Sequence, residues 1–338
     1  MDENALVGYD RRMGARIEHT ARQQHRKPIP LWGYKALLVL AAAIWGLGTV
    51  VVKETVNALP PLWLAGIRLF FAGVILTIVC FKIIRTHIDR DSIVAGAFLG
   101  VFLALSYATN TLGLSATTAA KSAFITTTYC AFVPFFAWAI SRIRPTVFNI
   151  AAMLLCVAGV AFVSFSNGFE ELTFGFGEAI TVVSAAFLAL HIAFTAKLSD
   201  GRDPLTLTAV QFLVGGAIGI VMGLCAEGVP DWSVLQDPAT FGNVVYIVVF
   251  ATCIALLLQN IGVAHVPPAP AALFLAMECV FGVIFSVLLL GEIITPFMSI
   301  GFVLIGAGIV VSEALPLKKR RLNPDEVAEE ERRASEEG

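Results

Sequence analysis

Apolar residues in this chain come in long runs parted by short polar stretches, with neither strand alternation nor an amphipathic helical stripe setting the pattern. A helix needs about 20 apolar residues to cross a bilayer, and ten runs reach that scale. Five fall in the first half: Tyr34–Val52, Leu62–Phe81, Ile93–Leu114, Ala119–Ile140 and Val147–Phe165. Five follow in the second: Gly177–Ala196, Leu205–Ala226, Val244–Val263, Ala269–Leu290 and Phe297–Leu315. Two junctions are short. Gly113 with Ser115 predicts a break between the third and fourth runs, and Pro267-Pro268-Ala269-Pro270 one between the eighth and ninth. The expected architecture is an all-α integral membrane protein of ten transmembrane helices.

The two halves read as copies. The layout of residues 34–165 recurs over 177–315, and an ungapped offset of 149 pairs Asn110–Ser164 with Gln259–Glu313. Earlier, Pro61-Leu62 and Arg68 pair with Pro204-Leu205 and Gln211 at an offset of 143. An odd number of helices per copy makes the second enter the membrane in the opposite sense. Inverted five-helix repeats of this kind serve secondary transporters, whose halves exchange conformations of similar energy.

Composition agrees with a membrane protein. Hydrophobic residues make up 57% and charged residues 14%, with a mean hydropathy of +0.82. A soluble domain carries about 25% charged residues. The net charge of −2 says little, but the placement of the positive charges sets the orientation. All but Lys53, Arg68 and Lys121 of the 23 lysines and arginines fall in the two tails, with Lys35 at the very start of the first run counted with the amino-terminal one, and in the loops on one side. Both termini are therefore expected in the cytoplasm, with the protein in the plasma membrane. The tails, residues 1–33 and 316–338, read as solvated and disordered, their basic parts suited to anionic lipid rather than nucleic acid. The opening residues lack a cleavable signal core, so the first run would target the chain itself. The six cysteines lie in apolar runs without a CxxC pair and read as packing residues.

Some residues then carry a family resemblance. Trp45-Gly46, Leu59-Pro60-Pro61 and Arg68-Leu69-Phe70 resemble the opening of the EamA domain of the drug/metabolite transporter superfamily. Leu275-Ala276-Met277-Glu278 with Leu290-Gly291-Glu292 resembles the penultimate helix of its second copy, and Gly306-Ala307-Gly308-Ile309 also fits. The resemblance implies two inverted copies, cytoplasmic ends and a central cavity for small metabolites, often exported. Cys279 stands where the family often has proline, so no proline kink is expected there.

Ionisable groups inside a bilayer are costly and need a partner or a wet cavity. Glu278, near the middle of the ninth run, is the sharpest candidate for a substrate-amine contact or a proton-coupling carboxylate; its alternative is a neutral acid in a structural hydrogen bond. Lys121 and Arg68 lie nearer the outer ends of their runs. Lys121 would meet an anion, neutralise Glu278 or snorkel to the headgroups; Arg68 would bind substrate, backbone carbonyls or lipid phosphate. Lys121 also resembles a lysine found in a subset of the family. Ser106, Tyr107 and Asn110 form one polar stripe, Thr252 and Gln259 another, with interhelical hydrogen bonding as the alternative to a site. Tyr129 pairs with Glu278 under the offset of 149. His191 is a candidate for titration near neutral pH or a packed histidine, and Trp45 for cavity lining or core.

No GxxxxGK[ST] loop, metal-ligand cluster or GxSxG elbow occurs, so no cofactor, metal or enzymatic chemistry is expected. The leading reading is a secondary transporter of small metabolites working by alternating access between its two repeats. Export is implied by the resemblance, and amino acids or related compounds are suggested by the mixed signs of Glu278, Lys121 and Arg68. A non-transporting membrane sensor or assembly partner is the alternative, and an enzyme acting on lipid-linked substrates is disfavoured by short loops poor in His and Asp. Import or export, the coupling ion and the oligomeric state stay open.

Overall fold

The computed structural model describes residues 30–117, 119–142, 144–164, 175–290 and 294–322. Every regular element among them is helical. In hydrocarbon, backbone N–H and C=O groups have no water to bond, and a helix satisfies them within one segment. The helices are α1 (Leu31–Thr55), α2 (Pro61–Val79), α3 (Phe81–His87), α4 (Arg90–Ala116), α5 (Ala119–Thr127), α6 (Tyr129–Ser141), α7 (Val147–Ser164), α8 (Phe176–Leu198) and α9 (Pro204–Ala226). After a short 3₁₀ turn, Trp232–Gln236, come α10 (Pro238–Tyr246), a π-helical stretch Ile247–Ile254, α11 (Ala255–Val263), α12 (Pro268–Leu275), α13 (Glu278–Leu290) and α14 (Pro296–Leu322).

Eight segments are long and apolar enough to cross a membrane, with α5–α6, α10–α11 and α12–α13 each running on as one. The fifth and tenth expected runs are shorter apolar helices, Val147–Val163 and Pro296–Ser312. A 17-residue helix spans about 25 Å against a hydrocarbon core of about 30 Å. Large apolar side chains such as Ile78, Val79, Val147 and Val303 point outward, as a lipid-facing surface requires.

Helix starts follow local chemistry. Proline occupies the first turn of α2, α9, α10 and α12, where its missing N–H costs nothing. Asp89, Asp203 and Asp237 cap α4, α9 and α10 through the backbone N–H groups of Ser92, Thr206 and Thr240. Glu227, just past α9, accepts from the N–H groups of Leu62 and Trp63 at 3.0 and 3.1 Å and so caps α2 from a distant point in the sequence.

The structure departs from the sequence expectations in several places. Helix α4 continues through Gly113 to Ala116, because Gly113 lies flush against Gly177 and Thr181 of α8 and breaks nothing. Helices α1 and α14 extend past their apolar runs, to Leu31 and Leu322, since bilayer thickness limits the apolar length and not the helical one. The outer parts of both expected tails, together with Glu170, Glu171, Gly291 and Glu292, lie outside the described residues. The ninth run is interrupted without proline: Met277 N–H bonds Phe274 O and Cys279 N–H bonds Ala276 O, a 3₁₀-like tightening between α12 and α13. Helices α5 and α6 part in the same way at Thr128.

The most extensive contacts join α2 to α9, α7 to α14, and α4 to both α8 and α9. Glycine permits the approach. A methyl group at Gly73 would run into Leu213, and one at Gly216 into the backbone of Phe70. Likewise Gly159 abuts Gly301, and Gly308 abuts Ala152.

Candidate functional site

A cavity of about 100 Å³ lies among α1, α2, α4, α5, α8 and the first residue of α13. Its polar lining includes Trp45, Thr49, Arg68, Ser106, Tyr107, Asn110, Ser122, Thr126, Ser184 and Glu278. Most of these lie in the helix halves adjoining the α1–α2 and α4–α5 connections. Arg68 is seven residues into α2, about 10 Å along its axis. The opposite half is filled by a core containing Leu69, Leu76, Leu103, Phe212 and Leu256.

Each charged wall residue is held by a threonine. Arg68, 6% exposed, donates from Nε to Thr252 Oγ1 at 2.8 Å, and its guanidinium lies over the Tyr107 ring, 4.5 Å from the centroid. Thr252 lies in the π-helical stretch, where the wider turn also directs Ala251 O to accept from Trp45 Nε1 at 2.7 Å. Glu278 sits where α12 and α13 part, and its Oε1 is 2.9 Å from Thr127 Oγ1. That hydroxyl also lies 2.7 Å from Ala123 O and 3.2 Å from Cys279 Sγ. Asn110 Nδ2 donates to Thr126 Oγ1 at 2.9 Å. Ser106 and Ser184 donate to one another's backbone carbonyls and bind α4 to α8.

Of the residues singled out from sequence, Trp45, Arg68, Asn110 and Glu278 meet at this cavity, together with Ser106 and Tyr107. Lys121 is outside its lining and within electrostatic reach of Glu178, which also accepts from Thr117 Oγ1 at 2.5 Å and from Gly175 N–H. Lys53 closes the same rim by donating to Leu114 O and Thr117 O, the end of α4. His191, Gln259 and Tyr129 are buried away from the cavity. Sequence reasoning missed Thr126 and Thr127. The signal was present as three consecutive threonines, Thr126 to Thr128, in mid-segment, where their hydroxyls are free to turn to a neighbouring helix or back to their own.

The fold and this cavity define a multi-pass membrane protein with a small charged chamber enclosed by its helices. The sequence model of the EamA-like transporter family matches residues 32–165 and 175–313. The chain belongs to that family. It is 28% identical over 276 residues to an "uncharacterized transporter" of Archaeoglobus fulgidus, covering 81% of this chain and 84% of the relative. It is 27% identical to the "uncharacterized transporter YetK" of Bacillus subtilis, covering 87% and 89%. A solved crystal structure of 16% sequence identity superposes with a TM-score of 0.67 over 86% of this chain and 98% of the other, a likeness of fold.

Proposed function

We propose that the protein is a secondary active transporter that exports small zwitterionic metabolites of the amino-acid type, with ten crossings in two inverted repeats, residues 34–165 and 177–315. The observation that carries the substrate class is the pairing of Arg68 and Glu278 on the walls of one small cavity. A cation and a carboxyl separated across such a space suit a ligand bearing both a carboxylate and an amine.

The helix boundaries support the two-repeat reading. Helices α1 and α2 recur as α8 and α9, with the end of the first and the start of the second offset by 143 residues; α6 recurs as α13 at an offset of 149. Contacts are reciprocal under the same offsets. Gly73 against Leu213 answers Gly216 against Phe70, and Gly159 against Gly301 answers Gly308 against Ala152. Basic loops and tails argue for cytoplasmic ends in the plasma membrane. The cavity then lies in the outer half, above a packed inner half, as an outward-facing arrangement would have it.

Thr127 supports a proton-coupled role for Glu278. A hydroxyl owns one proton. With Glu278 protonated, the acid donates to Thr127, and Thr127 donates to Ala123 O. With Glu278 ionised, Thr127 turns its proton to the carboxylate and leaves that carbonyl. Substrate amine and proton would thus compete for one oxygen.

Thermal unfolding of the detergent-purified protein against amino acids, nucleosides, sugars and organic cations tests the reading. A ligand at 100 times its dissociation constant adds about 2.7 kcal/mol of stability. The expected result is stabilisation by an amino acid, lost in Glu278→Gln together with counterflow of that amino acid in proteoliposomes. Indifference to every amino acid, or full counterflow by Glu278→Gln, would sink it.

A further inference from the structure

The half of the bundle opposite the cavity contains polar atoms that its packing does not satisfy. His191 on α8 and Gln211 on α9 share one hydrogen bond, Nε2 to Oε1 at 2.7 Å, yet His191 Nδ1 and Gln211 Nε2 have no partner among the described residues. Gln259 on α11 is wholly buried, with both amide atoms unpartnered. The Tyr129 hydroxyl is likewise buried and unpartnered, within electrostatic reach of Glu278. Native interiors seldom retain such groups, because each has given up its bonds to water for nothing.

These four positions are related to one another. Under the offsets that reproduce the helix boundaries, His191 and Gln211 are the counterparts of Gly48 and Arg68, and Gln259 and Tyr129 of Asn110 and Glu278. Gly48, Arg68, Asn110 and Glu278 all line the cavity. Each orphaned group therefore occupies, in the opposite repeat, the place that corresponds to a residue of the cavity wall: His191, Gln211 and Gln259 in the second repeat, and Tyr129 in the first. A bundle that reverses by exchanging the conformations of its halves brings these side chains to water in its other state, which explains why they stay polar while buried here.

We propose that His191, Gln211, Gln259 and Tyr129 line a second chamber, closed in this conformation, that opens toward the face carrying the chain ends and takes water and the uncharged hydrogen-bonding groups of the substrate. The inference rests on the transport reading above. Its chemistry differs from that of the first chamber. An amide replaces the guanidinium of Arg68, and a phenol replaces the carboxyl of Glu278, so the second chamber holds its ligand through neutral hydrogen bonds. Substrate bound through its charges on one side leaves from a site without a fixed charge on the other.

The test uses the full chain in membrane vesicles of each orientation, with a membrane-impermeant methanethiosulfonate as the probe. The labelled peptide is identified by mass spectrometry, so that the native cysteines do not count. Gln259→Cys is expected to react only when the reagent is applied to the chain-end face, and Asn110→Cys at least tenfold faster from the opposite face. Gln211→Cys should behave as Gln259→Cys does and guards against one variant failing to fold. Labelling of Asn110→Cys with neither second-repeat position reacting from the chain-end face overturns the second chamber and leaves the transport reading standing. Reaction of Gln259→Cys from the same face as Asn110→Cys overturns it too, by merging the two chambers. Silence at all three positions in folded protein overturns the inference and the transport reading together.

Discussion

Arg68 shows how one side chain makes a charge tolerable inside a membrane. Its Nε bond to Thr252 and its stacking on Tyr107 use the planarity of the guanidinium, and the cation over the ring recovers part of the lost hydration. Thr252→Val keeps the volume and removes the acceptor, so it should cost about 1–3 kcal/mol, read as a lower unfolding temperature in detergent. Arg68→Lys should not restore wild-type stability even with Thr252 in place, because an ammonium has neither the Nε geometry nor the flat face. Trp45, Arg68, Asn110 and Glu278 were legible in the sequence because each is polar, or large and deep, in an apolar setting. Thr127 was not singled out, since a helical threonine satisfies itself on the carbonyl one turn back, and a run of three does not say which of them meets a partner. Only the approach of α13 revealed that its oxygen faces Glu278.

At the scale of helices, ends and crossings hold the cavity open. Glu227 joins the end of α9 to the start of α2 by capping two N–H groups with one carboxylate. Glu227→Ala should lower stability by about 1–2 kcal/mol, with faster amide exchange at Leu62 and Trp63 as the local signature. Glycines divide in a way no local pattern foretells. Gly306→Ala should be neutral or stabilising, because nothing lies within 4 Å of the new methyl and a helix prefers alanine. Gly216→Ala should destabilise by about 1–3 kcal/mol, since its methyl would enter the backbone of α2. Thermal unfolding of the pair decides this, and equal shifts would contradict the crossing. The interruption before Glu278 belongs to this scale as well. The sequence lacks the proline that usually marks such a site, and the helix breaks there nonetheless, facing the break before Tyr129.

Across the whole molecule, the apolar runs determined that the chain spans a membrane as helices, because hydrocarbon leaves the backbone no other partner. The proline and aspartate positions determined where several helices start, and those signals act within one turn of the chain. The spacing of the runs suggested two copies from sequence alone. The tertiary structure decided which polar residues share the cavity. Arg68 and Thr252 lie 184 residues apart, and Thr127 and Glu278 lie 151 apart. It also placed Lys121 within electrostatic reach of Glu178 and buried His191 with Gln211. The physical reason is that nearly every face of these helices is apolar, so hydrophobic periodicity does not say which face turns inward. That choice falls to glycine contacts and interhelical hydrogen bonds, which exist only once two distant segments lie side by side.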